Sequence, residues 1–258
     1  MSFITIAVAD LVATVTFDRP PVNAVEPASV REITEAFLSL ADRRDVNCAI
    51  FKTAGTRAFI AGADLKARLE AGRGELPSEL MDPYRGIRDA FKAIRECQVP
   101  VIAEVQAPAI GAGLLFASAC DVILAADTAT FGLTEINVGL LGGAAHLQRM
   151  VGTYKMRKMF FTGELVAAGE LYRLGAIEKV VPAEDLPGAA RALALEIAGK
   201  SPIALRLAKD SANRVEHLAT DEAYRIEQTY TARLLGLDDS QEAIRAFLEK
   251  RRPIWSWS

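Results

Sequence analysis

Two short runs rich in apolar and β-branched residues open the chain, Phe3-Ile4-Thr5-Ile6-Ala7-Val8 and Val12-Ala13-Thr14-Val15-Thr16-Phe17. They predict two strands joined by a tight turn at Ala9-Asp10. Asp18-Arg19-Pro20-Pro21 then breaks the pattern, because consecutive prolines cannot continue a hydrogen-bonded ladder. Val30, Ile33, Phe37 and Leu40 recur at helical spacing and predict a helix from Pro27 to Arg43. Cys48 to Phe51 predicts a short buried strand running into the small-residue loop Ala58-Phe59-Ile60-Ala61-Gly62-Ala63-Asp64. Gly72 to Pro77, rich in glycine and charge, predicts a mobile surface loop, and Leu80 to Glu96 a helix. Val99 to Val105 predicts a strand, followed by a small-residue turn through Gly111-Ala112-Gly113 and a helix to Ala119. Asp121 to Ala125 is another predicted strand. Beyond Gly142 the pattern is helical, broken only at Ile177 to Val181.

Strand and helix therefore alternate in the first half, and helices dominate the last third. That order predicts α/β layers with a helical C-terminal extension. A new helix at Lys200-Ser201-Pro202 sets the expected division into a core, residues 1–200, and a helical region, residues 201–258.

Composition narrows the function classes. Apolar residues make up 51% of the 258, enough for a large core and too many for wholesale disorder. The net charge of −3 lacks the basic surplus of a nucleic-acid binder. Cys48, Cys97 and Cys120 stand far apart in apolar surroundings, which reads as reduced core cysteines in a reducing, cytoplasmic compartment. Met1 to Asp10 carries no basic segment followed by an apolar run, so no secretory signal is expected, and no stretch is long enough to predict a membrane span. His146 and His217 are far apart and lack ligand spacing, so no metal is expected.

Four blocks carry a family resemblance. They are Phe59-Ile60-Ala61-Gly62-Ala63-Asp64-Leu65-Lys66; Pro100-Val101-Ile102-Ala103 through Gly111-Ala112-Gly113 to Cys120-Asp121; Phe131-Gly132-Leu133-Thr134-Glu135 with Gly139, Gly142-Gly143 and Gln148-Arg149; and Ala246-Phe247-Leu248-Glu249-Lys250-Arg251. In this order and at these separations, the chain resembles the crotonase (enoyl-CoA hydratase/isomerase) superfamily nearly end to end. The resemblance implies a spiral of ββα units followed by helices that help build a homotrimer or a hexamer of paired trimers. It implies an acyl-CoA thioester as substrate, with coenzyme A entering only as part of that substrate and no separate cofactor.

Removing a proton beside a thioester carbonyl creates an enolate, whose oxygen needs donors already in place. By resemblance the donors are the N–H groups of Ala63 and Ala112. Alanine serves at the second position provided its backbone does not require positive φ. The family's hydratases use two glutamates; the second matches Glu135, while the first falls on Leu115. A leucine cannot activate water. One carboxylate suffices to move a proton from C2 to C4 and shift a double bond between Δ3 and Δ2, so Glu135 is the expected sole acid/base of an isomerase. Hydration with a substitute acid, other enolate chemistry and non-catalytic acyl-CoA binding are the alternatives. Leu115, Leu133 and Leu140 imply an apolar acyl pocket that raises the basicity of Glu135. His146 and Glu104 are the accessory candidates, each with a plainer role in packing or an ion pair. Asp121 and Glu164 read as structural. Ala61, Asp64, Lys66 and, from a neighbouring subunit, Lys250 are the residues the resemblance places near coenzyme A. The segment Glu70 to Tyr84 would meet the acyl tail.

Overall fold

The computed structural model describes residues 2–64 and 83–258. Lys66, the loop Gly72 to Pro77 and most of the segment Glu70 to Tyr84 lie outside the described residues.

The opening runs form β1 (Ile4–Ala9) and β2 (Val12–Phe17), paired antiparallel with Ala9 opposite Val12. The turn is Asp10-Leu11, one residue later than expected, and both residues take positive φ, which gives the twist a two-residue hairpin needs. Helix α1 (Pro27–Leu38) stops five residues short of the expected Arg43. Leu40 is nonetheless fully buried, because short turns rather than further helix carry it into the core.

A main sheet then grows by parallel crossovers. β3 (Cys48–Thr53) pairs with β2 and with β4 (Val101–Val105), β4 with β6 (Val122–Ala126), and β6 with β9 (Lys179–Val181), in the order β1-β2-β3-β4-β6-β9. Its central strands are almost wholly buried, as expected for parallel strands covered on both faces. Helix α2 (Pro83–Arg95) and helix α3 (Ala112–Ala119) lie on this core. Phe51 meets Phe37, Phe59 and Phe116 edge-on at centroid distances of 5.4, 5.7 and 6.1 Å, and Phe91 meets Phe116 at 4.8 Å. Such pairs add about 0.5–1.5 kcal/mol each beyond burial.

A second, smaller sheet adds strands that were not expected, and one of them, Val166–Ala167, interrupts the stretch beyond Gly142 expected to be helical except at Ile177 to Val181. β5 (Ala109–Ile110), β7 (Thr130–Gly132) and β8 (Val166–Ala167) form it, in that order. Helices α4 (Ala144–Met150), α5 (Thr153–Thr162), α6 (Ala168–Arg173) and α7 (Leu186–Ala198) follow along the chain, then α8 (Pro202–Val215), α9 (Thr220–Leu235) and α10 (Asp238–Leu248).

Ser201 caps α8, accepting from the Ala204 N–H at 3.2 Å. Buried Lys209 ties this helix to the sheet: its ammonium donates to Asp121 at 2.8 Å and to the carbonyls of Ile94 and Val99. Asp121 also accepts the Val101 N–H at 2.6 Å, at the start of β4. Among the described residues, no helix is long and apolar enough to cross a membrane.

Candidate active site

Three chain segments run side by side and in the same direction at the small sheet. The segment around Ile60 bridges to Ala109 in parallel, with the Phe59 N–H donating to Pro108 and the Ile110 N–H to Ile60, each at 3.0 Å. β5 in turn pairs in parallel with β7, Ile110 opposite Gly132, and the Gly111 N–H donates to the Gly132 carbonyl at 2.8 Å. Each segment then leaves the sheet at the same end. Two or three residues later the three chains reach Ala63, Ala112 and Glu135, so one register brings together groups separated by 72 positions in sequence.

Glycines make this approach close enough. Gly113 stands where a β-carbon would lie 2.9 Å from the carbonyl carbon of Ile60, so the first turn of α3 packs directly on the neighbouring segment. Gly111 has φ of 54°, and it carries the strain of the turn, leaving Ala112 outside the positive-φ region. Ala112 is the first residue of α3, whose opening N–H groups lack an acceptor one turn earlier. The N–H groups of Ala63 and Ala112 have no backbone acceptor among the described residues. Ala63 is held by bonds on either side: the Val25 N–H donates to Gly62 at 2.9 Å and the Asp64 N–H to Val25 at 3.1 Å.

Glu135 opens a 3-10 turn, Glu135–Val138, closed by Gly139 in the left-handed conformation. Its carboxylate lies over the α-carbon of Gly111: a β-carbon there would stand 3.0 Å from the carboxyl carbon. The acid is therefore beside the peptide that carries the Ala112 N–H. Its Oε2 is buried without a hydrogen-bond partner among the described residues. Burial pushes the pKa of Glu135 above its ordinary value, against a smaller lowering by its own backbone N–H. An unpartnered carboxylate oxygen in a half-buried site is costly, which makes Glu135 a candidate for function.

Leucine side chains meet at Gly143. Gly143, at φ of 88°, leaves room for Leu115 and Leu133, whose methyl groups would lie 2.7 and 2.8 Å from a β-carbon there. Leu133 is buried, and the Leu140 N–H donates to the Glu135 carbonyl at 2.9 Å. Leu115 thus occupies the helix face above Gly111, with its N–H bonded to the Gly111 carbonyl at 3.2 Å.

The remaining candidates have other partners. His146 Nδ1 is 3.0 Å from Ser118 Oγ, and its ring meets Phe91 at 4.9 Å. Burial first, then Arg149 and Arg95, lower its pKa, so it is a neutral group packed between helices. Glu104 is buried opposite Lys52 on the main sheet, with an ion pair of 2.8 Å. Glu164 is bound by Lys155 at 3.0 Å and Lys158 at 2.9 Å. Ala61 donates its N–H to Val22 at 3.2 Å, and Asp64 pairs with Arg19 at 3.1 Å. Lys250 is exposed and far along the chain, after α10.

Two residues that organise the first turn went unrecognised in the sequence. Arg19 links Asp64, Glu26 and the Ala24 carbonyl. Asn23, buried and at φ of 55°, accepts from the Arg19 N–H and donates to the carbonyls of Ala54 and Ala58. An asparagine two residues beyond a Pro-Pro pair was the available signal.

Residues 8–257 match the enoyl-CoA hydratase/isomerase family. A relative 37% identical over 95% of this chain and 93% of its own length is the (7aS)-7a-methyl-1,5-dioxo-2,3,5,6,7,7a-hexahydro-1H-indene-carboxyl-CoA hydrolase of Rhodococcus jostii. A probable enoyl-CoA hydratase of Mycobacterium bovis is 35% identical over 94% of this chain and 93% of its own. The solved enoyl-CoA hydratase of Bacillus anthracis superposes with a TM-score of 0.92 at 28% identity, covering 99% of this chain and all of that one. The chain belongs to the enoyl-CoA hydratase/isomerase (crotonase) family and is an acyl-CoA enzyme with the crotonase fold.

Proposed function

We propose that Glu135 is the sole acid/base of this enzyme and that it shifts a double bond between Δ3 and Δ2 of an enoyl-CoA. The observation that carries this is a half-buried carboxylate, unpartnered among the described residues, beside two turns, with Leu115 at the family's first carboxylate position. Glu135 takes a proton from C2, the electrons move into a dienolate, and the N–H groups of Ala63 and Ala112 hold its oxygen. Glu135 then returns the proton at C4, so the carboxylate base is regenerated in each turnover. Leu115, Leu133 and Leu140 keep water from the carboxylate and line the acyl pocket. His146 and Glu104 act in packing and ion pairing. Ala61, Asp64, Lys66 and, across a subunit contact, Lys250 hold coenzyme A in a homotrimer or hexamer, with residues 201–258 forming the helical region that builds it. Exposed Phe247, Leu248 and Tyr154 support such an assembly.

A second reading rests on the relatives of Rhodococcus jostii and Mycobacterium tuberculosis, which are named CoA hydrolases of a dioxo substrate. In that case Glu135 would take a proton from water that attacks a carbonyl, and would give it to the departing enolate. One carboxylate again suffices.

Incubation with 3-enoyl-CoA and trans-2-enoyl-CoA in deuterated water separates the possibilities. Double-bond migration without a hydroxyl product, lost in Glu135→Gln, is the expected result. Formation of 3-hydroxyacyl-CoA at a substantial rate would refute the single-carboxylate reading. Exchange of α-hydrogen without migration would favour the hydrolytic one.

A further inference from the structure

Helices α9 and α10 are joined weakly to the apolar core. Among the described residues α9 buries none, and α10 buries only Asp239 and Ala246. An aspartate that is wholly buried in so exposed a helix needs partners, and it has them from two other parts of the chain. Asp239 Oδ1 accepts the Ser256 N–H at 2.7 Å, the Ser256 hydroxyl at 2.9 Å and the Trp257 N–H at 3.2 Å. Its Oδ2 accepts the Ser201 hydroxyl at 3.1 Å, and its own N–H donates to the Ser258 backbone oxygen at 2.9 Å. One carboxylate therefore joins the start of α8, the start of α10 and residues 256–258.

The other end of this link is aromatic. The Trp257 ring has the guanidinium of Arg206 4.5 Å from its centroid and that of Arg44 at 5.7 Å. Arg206 is itself fixed, donating to the carbonyls of Arg43 and Val46 just before β3. Between the two anchors, Glu242 on α10 accepts both terminal nitrogens of Arg251, at 2.5 and 2.9 Å, and the Ile254 N–H at 2.9 Å. The chain doubles back at Lys250, which has φ of 53°, a conformation that residues other than glycine seldom adopt. The Lys250 N–H donates to Phe247 and the Arg251 N–H to Ala246, which fixes that reversal.

We propose that residues 253–258 form a strap that locks α10 against the main body, with Asp239 and Trp257 as positioning residues that hold Lys250 in place for the acyl-CoA site. The statement about coenzyme A rests on the role given to Lys250 above; the statement about the strap does not.

Amide hydrogen exchange over residues 238–248 and the affinity for free coenzyme A, both on the full chain, test the two parts separately. Trp257→Ala is expected to speed exchange in α10 about tenfold or more and to weaken coenzyme A binding as much as Lys250→Ala does. The double variant should bind no worse than Lys250→Ala alone, and Trp257→Phe should restore most of both the slow exchange and the affinity. Ser256→Ala, which removes one donor and leaves the fold undisturbed, should give a smaller change in the same direction. Unchanged exchange in Trp257→Ala and Ser256→Ala would overturn the strap. Faster exchange with an unchanged affinity, in a protein where Lys250→Ala does weaken binding, would overturn the link to the site. An unchanged affinity in Lys250→Ala itself would remove that lysine from coenzyme A binding and leave the exchange result to decide on the strap alone.

Discussion

The main sheet has strands of five and six residues at its centre, buried on both faces, and its polar side chains are paired: Glu104 with Lys52 across β3 and β4, Asp121 with Lys209 at the edge of β4. The small sheet has strands of two and three residues, glycine at its closest approaches, and beside it a carboxylate whose Oε2 has no partner among the described residues. Both are ladders of the same hydrogen bonds, yet they do opposite things with acids. A paired buried carboxylate secures the fold and is chemically silenced by its cation. An unpaired one weakens the fold and is free to take a proton. Stability and activity are thus separable in this molecule, and substitutions should separate them.

The largest expected effect is in the small sheet. Glu135→Gln keeps the shape and removes the base, and turnover should fall about a thousandfold. Steady-state rates with an enoyl-CoA, beside a melting curve that does not move down, check it. A parallel loss of activity and of melting temperature would mean that Glu135 is structural after all.

Lys209→Met makes the opposite test. It leaves Asp121 with the Val101 N–H but without its cation, at a side chain that is buried on the lysine side. Losing one partner of such a pair costs about 3 kcal/mol. Chemical denaturation should show this, while kcat per folded molecule stays within about twofold of the parent, well inside one RT-scaled decade.

Gly113→Ala sharpens the comparison at an intermediate scale. The added carbon meets backbone of the Ile60 segment, so the two donor turns must move apart. A displacement of this kind costs about a hundredfold in turnover, seen in kcat more than in KM. An equal rise in KM with kcat unchanged would place Ala63 and Ala112 outside the reacting centre.

The same contrast explains what could be foreseen. β2, β3 and β4 were legible because buried strands of this length leave an apolar run between turn residues, and α1 was legible from the spacing of Val30, Ile33 and Phe37. β5, β7 and β8 were not, because two or three residues carry no periodicity; Ala109-Ile110 read as part of a turn. Yet Ala112 and Glu135, just past the ends of β5 and β7, were named from their motifs as candidates, and the structure brings their segments side by side. The chemistry of the site is local to short blocks, whereas the sheet register that brings the blocks together depends on pairings between residues about 50 and 20 positions apart and leaves no local mark. Asn23 and Arg19 escaped for the same reason: their partners, Ala54, Ala58 and Asp64, are distant in sequence.

The smallest expected effect is in pH dependence, and it probes the carboxylate beside the small sheet. Burial raises the pKa of Glu135, so the folded protein holds this proton to a higher pH than the unfolded chain does. Between the two pKa values unfolding releases a proton, and the contribution of Glu135 to stability falls as pH rises through that window. Glu135→Gln carries no such penalty and should melt slightly higher than the parent at neutral pH, with the difference closing below the ordinary glutamate pKa. Activity runs the other way, because the base must be ionised: kcat/KM should rise with pH along a limb lying above the ordinary carboxylate range. Melting curves of both proteins across the acid range, beside a rate profile, measure the two limbs independently. If the stability difference and the rate limb share one midpoint, the same half-buried carboxylate is responsible for both. A kcat/KM limb at the ordinary glutamate value would mean that water reaches this carboxylate in the free enzyme and that burial does not raise its pKa.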